Sequence, residues 1–402
     1  MPPEGDGPFA PLHPISRRHL TALGGETGLV QSPQPGVPDG APGHSVDDVA
    51  RALQVDLLHA RTLGWDAVAE SAERNLQFLE AAFDEPSGRF LGFRALDGEW
   101  IGGPGSNESF GRAMLALGET IADAADPAMV ERAIELFIRA LKAAARVTSP
   151  RAQASVVLAS AAVARSSAMA GSTEPRDAAL GRDVQVLMRS LATGLHARFL
   201  ERARAGWPWP EDTLTFERAL LPRALIVAGH RGHAETMVGI GLQVLNWLID
   251  VQTAPEGHLS PIGSDGWAFD GERAKFDQHP IDATALLLAA EAAYAATGDP
   301  RYSLAMERCY AWFLGSNDLG RPLAHPKRGA CADGLTPKGV NRHEGAESTM
   351  AWLVAAERIR ALRAAAPRVM VPMRAGRAAR PLQPARQAGG ASRRDGAPGA
   401  ST

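Results

Sequence analysis

Long stretches of apolar residues at helical spacing recur in pairs along most of this chain, and no other feature restricts its fold as strongly. Ser45 is a good N-cap, and Asp47 and Asp48 follow it where the positive end of a helix dipole favours acids. From there the periodicity predicts helices over 46–63, 66–83, 109–122, 127–146, 151–169, 182–204, 214–228, 233–251, 281–296, 300–314 and 345–364. Within most pairs the break is short, as at Thr297-Gly298-Asp299-Pro300, whereas between pairs it is long and polar. Short connections force antiparallel neighbours, so the long loops collect on one face. These are eleven long helices, and a further helix over Arg17 to Leu23 makes twelve, enough to close six hairpins into a ring. The expected fold is an all-α (α/α)6 toroid over 16–365, with Pro- and Gly-rich 1–15 and Arg-rich 366–402 as disordered tails. An α-solenoid is the rival, but no fixed-period repeat is visible.

Charge narrows the partners. Ala361 to Thr402 holds eight arginines and one aspartate, so with a net charge of −3 the body is acidic. An acidic body does not suit nucleic acid, which needs a basic face. Two cysteines, Cys309 and Cys331, make no disulfide framework, and no run of eighteen apolar residues predicts a membrane span. A soluble, cytoplasmic protein is expected. The histidines lack a metal-ligand spacing such as His-Glu-x-x-His, and no phosphate-binding glycine motif follows a strand, so neither metal nor cofactor is expected.

Four polar segments fall on the loop face. His44 to Arg51 carries Asp48, and Gly102 to Arg112 carries Glu108 and Arg112. Gly206 to Glu217 places Trp207 and Trp209 beside Glu211 and Asp212. Gly257 to Asp282, interrupted by Pro261, Pro280 and four glycines, brings Trp267, Asp277, Gln278 and His279, joined by Asn341 and Glu347 from further on. Tryptophan faces stack on sugar rings and carboxylates bind hydroxyls or move protons, so the composition suits a saccharide. Asp212 and Asp277 are the first catalytic pair, each at a helix mouth beside aromatics, with Asp48 and Glu211 in reserve. Trp207, Trp209 and Trp267 would be stacking platforms, and Gln278, His279, Glu108, Arg112, Asn341 and Glu347 would hold hydroxyls. On the other side, Trp207 and Trp209 could plug the barrel end while Glu211 and Asp212 cap a helix.

Trp207 to Leu225, Phe276 to Ala283, Trp312 to Gly320 and Gly345 to Thr349 resemble a group of bacterial helical-toroid proteins. That group is commonly labelled glycosyltransferase or occurs beside glycosyltransferases, and is similar in architecture to six-hairpin glycosidases. The likeness spans roughly residues 19–360 and implies glycoside cleavage or glycosyl transfer on a saccharide or glycoconjugate. Two alternatives stand beside it: a non-catalytic sugar-binding module serving a glycosyltransferase partner, and a sugar epimerase of the same shape using His258 or His279 as acid and base.

Overall fold

The computed structural model describes residues 9–25, 28–29 and 43–365. Its helices are α1 (Arg18–Leu23), α2 (Val46–Leu63), α3 (Ala69–Ala81), α4 (Asn107–Asp123), α5 (Pro127–Ala144), α6 (Pro150–Val163) and α7 (Ser167–Gly171). There follow α8 (Pro175–Arg202), α9 (Leu220–Arg231), α10 (Glu235–Val251), α11 (Pro280–Thr297), α12 (Pro300–Phe313) and α13 (Ala346–Ala365). Six of them, α2, α4, α6, α9, α11 and α13, pack side by side in that order, and α13 returns to α2, which closes the ring. Each inner helix is backed by an outer helix that comes soon after it in the chain, α3, α5, α8, α10 or α12, and α13 is backed by the short α1. The described residues therefore form the (α/α)6 toroid that the pairing predicts.

The inner and outer helices differ as their positions demand. From Ala154 to Val163 every residue of α6 is buried, as befits a helix enclosed on all sides. Close approach in the inner ring depends on small residues. A β-carbon at Gly118 of α4 would lie 2.6 Å from the Ala159 carbonyl oxygen of α6, and one at Gly111 would lie 3.0 Å from the Ala152 α-carbon. The tight turns use ordinary signals: Asp126 and Asp299 cap α5 and α12, each followed by proline at the first helical position.

Three expectations are corrected. Residues 9–15 are not a free tail, because Tyr310 donates to the Pro11 carbonyl at 3.0 Å and Arg360 to the His13 carbonyl at 2.6 Å. Arg17 then anchors the segment beneath α1, bonding His59 Nδ1 at 2.8 Å and pairing with fully buried Asp56. Burial, with the charges of Arg17 and Arg360, pushes the His59 imidazole down to about 3. The helix expected from Leu214 begins at Leu220 instead, since Thr213–Leu214 pairs as a short strand with Trp267–Ala268 and Glu217 has φ of 47°. The long connection between the helices predicted over 66–83 and 109–122 is not all loop, since it contains an antiparallel hairpin of Arg89–Ala95 with Trp100–Pro104. The expected tail 366–402 lies outside the described residues, as do 1–8.

Candidate functional site

The amino ends of the inner helices meet at the loop face, where a belt of charged side chains ties four of them together. On α2, Ser45 accepts the Asp47 amide at 3.1 Å, which fixes the first turn and sets Asp47 and Asp48 at its start. Arg51, one turn later, pairs with Asp47 at 2.7 Å and Asp48 at 3.1 Å. Its other terminal nitrogen lies 2.5 Å from Glu347 Oε1, at the start of α13. From α4, Arg112 reaches the same Asp47 at 3.2 Å and pairs on its far side with Glu217, just ahead of α9. The belt thus runs Glu217, Arg112, Asp47, Arg51, Glu347.

His279 ends it. It is the N-cap of α11, and its Nδ1 accepts the Ile281 amide at 3.3 Å, so that nitrogen carries no proton in the neutral ring. The proton of the neutral ring therefore sits on Nε2, which stands 3.6 Å from Glu347 Oε2. Pro280 at the first helical position fixes the backbone that aims the ring.

Beneath the belt lies an axial cavity of about 110 Å³. Leu58, Leu115, Leu220, Ile281, Leu288 and Met350 give it an apolar wall, and Gln54, Glu119, Arg223 and Arg358 bring polar groups deeper in. The electrostatics of the mouth are divided. Burial alone would raise the Glu347 carboxyl, but Arg51, His279 and Arg112 together outweigh it and hold it below its ordinary value. Asp48, 1% exposed, goes the other way: burial dominates, Arg51 only partly opposes it, and Asp47 and Glu347 add repulsion, so its carboxyl is pushed up to about 7. Its Oδ2 has no hydrogen-bond partner.

The loops that carry the belt are themselves pinned. Arg151, the second residue of α6, donates to the Phe216 carbonyl at 2.9 Å and to Thr215 Oγ1 at 2.6 Å. That hold supports the left-handed backbone at Glu217, a conformation costly for any residue but glycine. Arg218, 2% exposed, pairs with Asp282 at 2.8 Å and donates to the Gly263 carbonyl, joining the start of α9 to the start of α11.

Of the residues predicted for the site, Arg112 and Glu347 line the cavity, His279 touches Glu347, and Asp48 sits behind Arg51. The others lie elsewhere. Asp212 is 74% exposed and paired with Arg204, and Asp277 is exposed with φ of 59°, so neither borders the cavity. Glu211 is held by Arg151 at 3.3 Å. Trp207 and Trp209 are corrected from stacking platforms to core, being 2% and 0% exposed: the apolar rings gain more from burial than a surface would give them. Trp207 packs edge-on against half-buried Trp267, which itself stacks on Trp247 at 5.8 Å. Gln278 is fully buried and spends its amide on Asp318 at 2.6 Å and Trp312 at 3.2 Å, so it cannot hold a hydroxyl. Glu108 accepts from Ser149, and exposed Asn341 accepts the His343 amide at 3.1 Å within its own turn. Sequence reasoning missed Arg51, Glu217 and Arg223. For Arg51 a signal existed, since it stands three and four residues after the paired aspartates, the spacing of helical ion pairs.

Among the described residues no group of three or more His, Cys, Asp or Glu is placed to hold a metal ion. No described helix is long and apolar enough to cross a membrane.

No protein-family model matches the chain, and no curated protein matches it. Solved structures do. Cellobiose 2-epimerase from Spirochaeta thermophila is 14% identical, with a TM-score of 0.60 over 84% of this chain and 91% of its own. A D-mannose isomerase is 12% identical, with a TM-score of 0.56 over 85% and 95%. A glycoside hydrolase family 76 mannosidase from Bacteroides thetaiotaomicron is 9% identical, with a TM-score of 0.54 over 87% and 97%. At these identities the likeness is one of fold, and it is the fold of the six-hairpin glycosidase-like toroids.

Proposed function

We propose that this chain is a carbohydrate-active enzyme that moves protons on a sugar held in the axial cavity, by epimerisation or isomerisation. Glu347 is the base that takes the proton from the carbon beside a sugar carbonyl and returns it, and His279 donates its Nε2–H to the carbonyl oxygen, where the negative charge of the enolate gathers. Arg51 keeps Glu347 ionised and fixed. One observation carries the reading: the Ile281 amide occupies His279 Nδ1, leaving Nε2 facing an ionised carboxylate at the cavity mouth. A carboxylate base, a hydrogen-bond donor for the carbonyl oxygen and an apolar wall are what proton abstraction next to a carbonyl requires. The names of two fold neighbours, an epimerase and an isomerase, agree with it.

Glycoside cleavage is the second reading, favoured by the carboxyl pushed up to about 7 at Asp48, the direction a general acid needs. Asp212 and Asp277 remain its solvent-facing alternative pair. A glycosyltransferase label or partner finds no support in the fold neighbours.

The test is incubation of purified protein with free aldoses, ketoses and disaccharides in D2O, followed by NMR. Deuterium at C2 together with a new isomer is expected, with His279→Ala slowing exchange by ~10²–10⁴-fold. Released sugar without exchange would select cleavage, and saccharide binding with neither would leave a binding module.

A further inference from the structure

Arg223 stands apart from the other charges of the cavity. Arg51 and Arg112 are each engaged by two or more carboxylates at the mouth. Arg358 has Glu291 at 3.6 Å. Arg223, on α9, lines the same cavity, yet no hydrogen bond or ion pair reaches its guanidinium from any described residue. The charges around it act only at longer range: Glu119, Glu291 and Glu217 favour it and Arg358 opposes it. Of those carboxylates, Glu217 is tied to Arg112, Glu291 to Arg358, and Glu119 to the Gln54 amide at 2.8 Å. Burial meanwhile holds the Arg223 pKa below the usual guanidinium range. Arg223 is half-buried, and its five donors meet no protein acceptor in the cavity, so they are open to a ligand that brings acceptors.

We propose that Arg223 is a specificity-determining residue that selects sugars bearing an anionic substituent, gripping it in a planar, two-pronged contact. The inference rests on the cavity being a sugar site. Geometry supports it. Arg223 comes one turn after the start of α9, about 4.5 Å down the helix, and helical side chains lean back toward the amino end. Its guanidinium therefore shares the cavity with Glu347, which His279 touches at the mouth. The positive ends of the inner helix dipoles converge on the same mouth and favour an anion there. Between the two anions of ordinary sugars, a carboxylate matches the guanidinium fork as a planar partner, and a phosphate offers the same acceptors with more charge.

Calorimetric titration decides it, using glucuronate, galacturonate and mannuronate against glucose, galactose and mannose, with glucose 6-phosphate as the phosphate arm. At least one acid, carboxylate or phosphate, is expected to bind about tenfold or more tightly than its neutral parent. Arg223→Gln, checked by thermal melt, is expected to remove that advantage, and Arg223→Lys to keep only part of it. Should either variant not fold, the wild-type ratios decide alone. Neutral sugars binding as well as their acids would overturn the inference while leaving proton exchange at the mouth standing. An acid preference that survives in folded Arg223→Gln would equally overturn it. No binding by any sugar would overturn both this inference and the reading beneath it.

Discussion

Replacing Asp48 by Asn tests the electrostatics of the mouth most directly. In the folded protein the Asp48 carboxyl is pushed from 3.8 to about 7, chiefly by burial. Its folded pKa lies above its unfolded one, so between these values the folded state holds a proton that the unfolded state has lost. Stability must then fall as pH rises from about 4 to about 7 and stay level above that. Between pH 5 and 8 the expected loss from this one group is about 3 kcal/mol, at about 1.4 kcal/mol per pH unit over roughly two units. Asparagine preserves the shape and can still accept the Arg51 bond through its Oδ1, but it cannot ionise. Relative to wild type, Asp48→Asn should therefore gain about 3 kcal/mol on passing from pH 5 to pH 8. Urea unfolding of both proteins at the two pH values gives the four free energies. A difference that is the same at both pH values, or that favours wild type more at pH 8, would refute the claim that burial outweighs Arg51.

Three further outcomes follow from packing and charge. Gly118→Ala forces a β-carbon to within 2.6 Å of the Ala159 carbonyl, and should cost about 1–3 kcal/mol in denaturant unfolding. Trp209→Ala, at a fully buried ring, should cost about 3–5 kcal/mol, while Trp267→Ala, half-buried nearer the surface, should cost clearly less by the same measurement. Arg112→Ala takes a cation from Asp47 and the paired cation from Glu217, and is expected to destabilise by about 3 kcal/mol, a cost that changes less with salt than a surface pair's, as thermal melts across salt concentration will show.

Most of the fold is legible in the sequence because it depends on local patterns. Ser45, Asp126 and Asp299 announce helix starts, Pro127 and Pro300 confirm them, and the apolar spacing between them follows the helical period. The site is legible where a functional residue caps a helix or sits in its first two turns, as at His279, Asp48, Arg112 and Glu347. It fails where burial reassigns a side chain. Trp207 and Trp209 lie in a polar, Pro-rich stretch that reads as a surface loop, yet the loop folds inward and the rings fill the core. Asp212, equally prominent in sequence, is left facing solvent beside Arg204. The belt itself is invisible beforehand, because Arg112 and Glu217 are separated by 105 residues and meet only through the closed ring.

The sequence by itself therefore determines that this chain makes paired helices with their long loops on one face, since propensity, capping and period act over a few residues at a time. Which charges share the axis is decided by the tertiary structure alone. Ring closure brings the starts of α2, α4, α11 and α13 and the residue just ahead of α9 to one mouth, and only there do Arg51, Arg112, Glu217, His279 and Glu347 become neighbours. Charge interactions fall off within a few ångströms in water and persist where it is excluded, so their pattern belongs to the assembled barrel and to no segment of it.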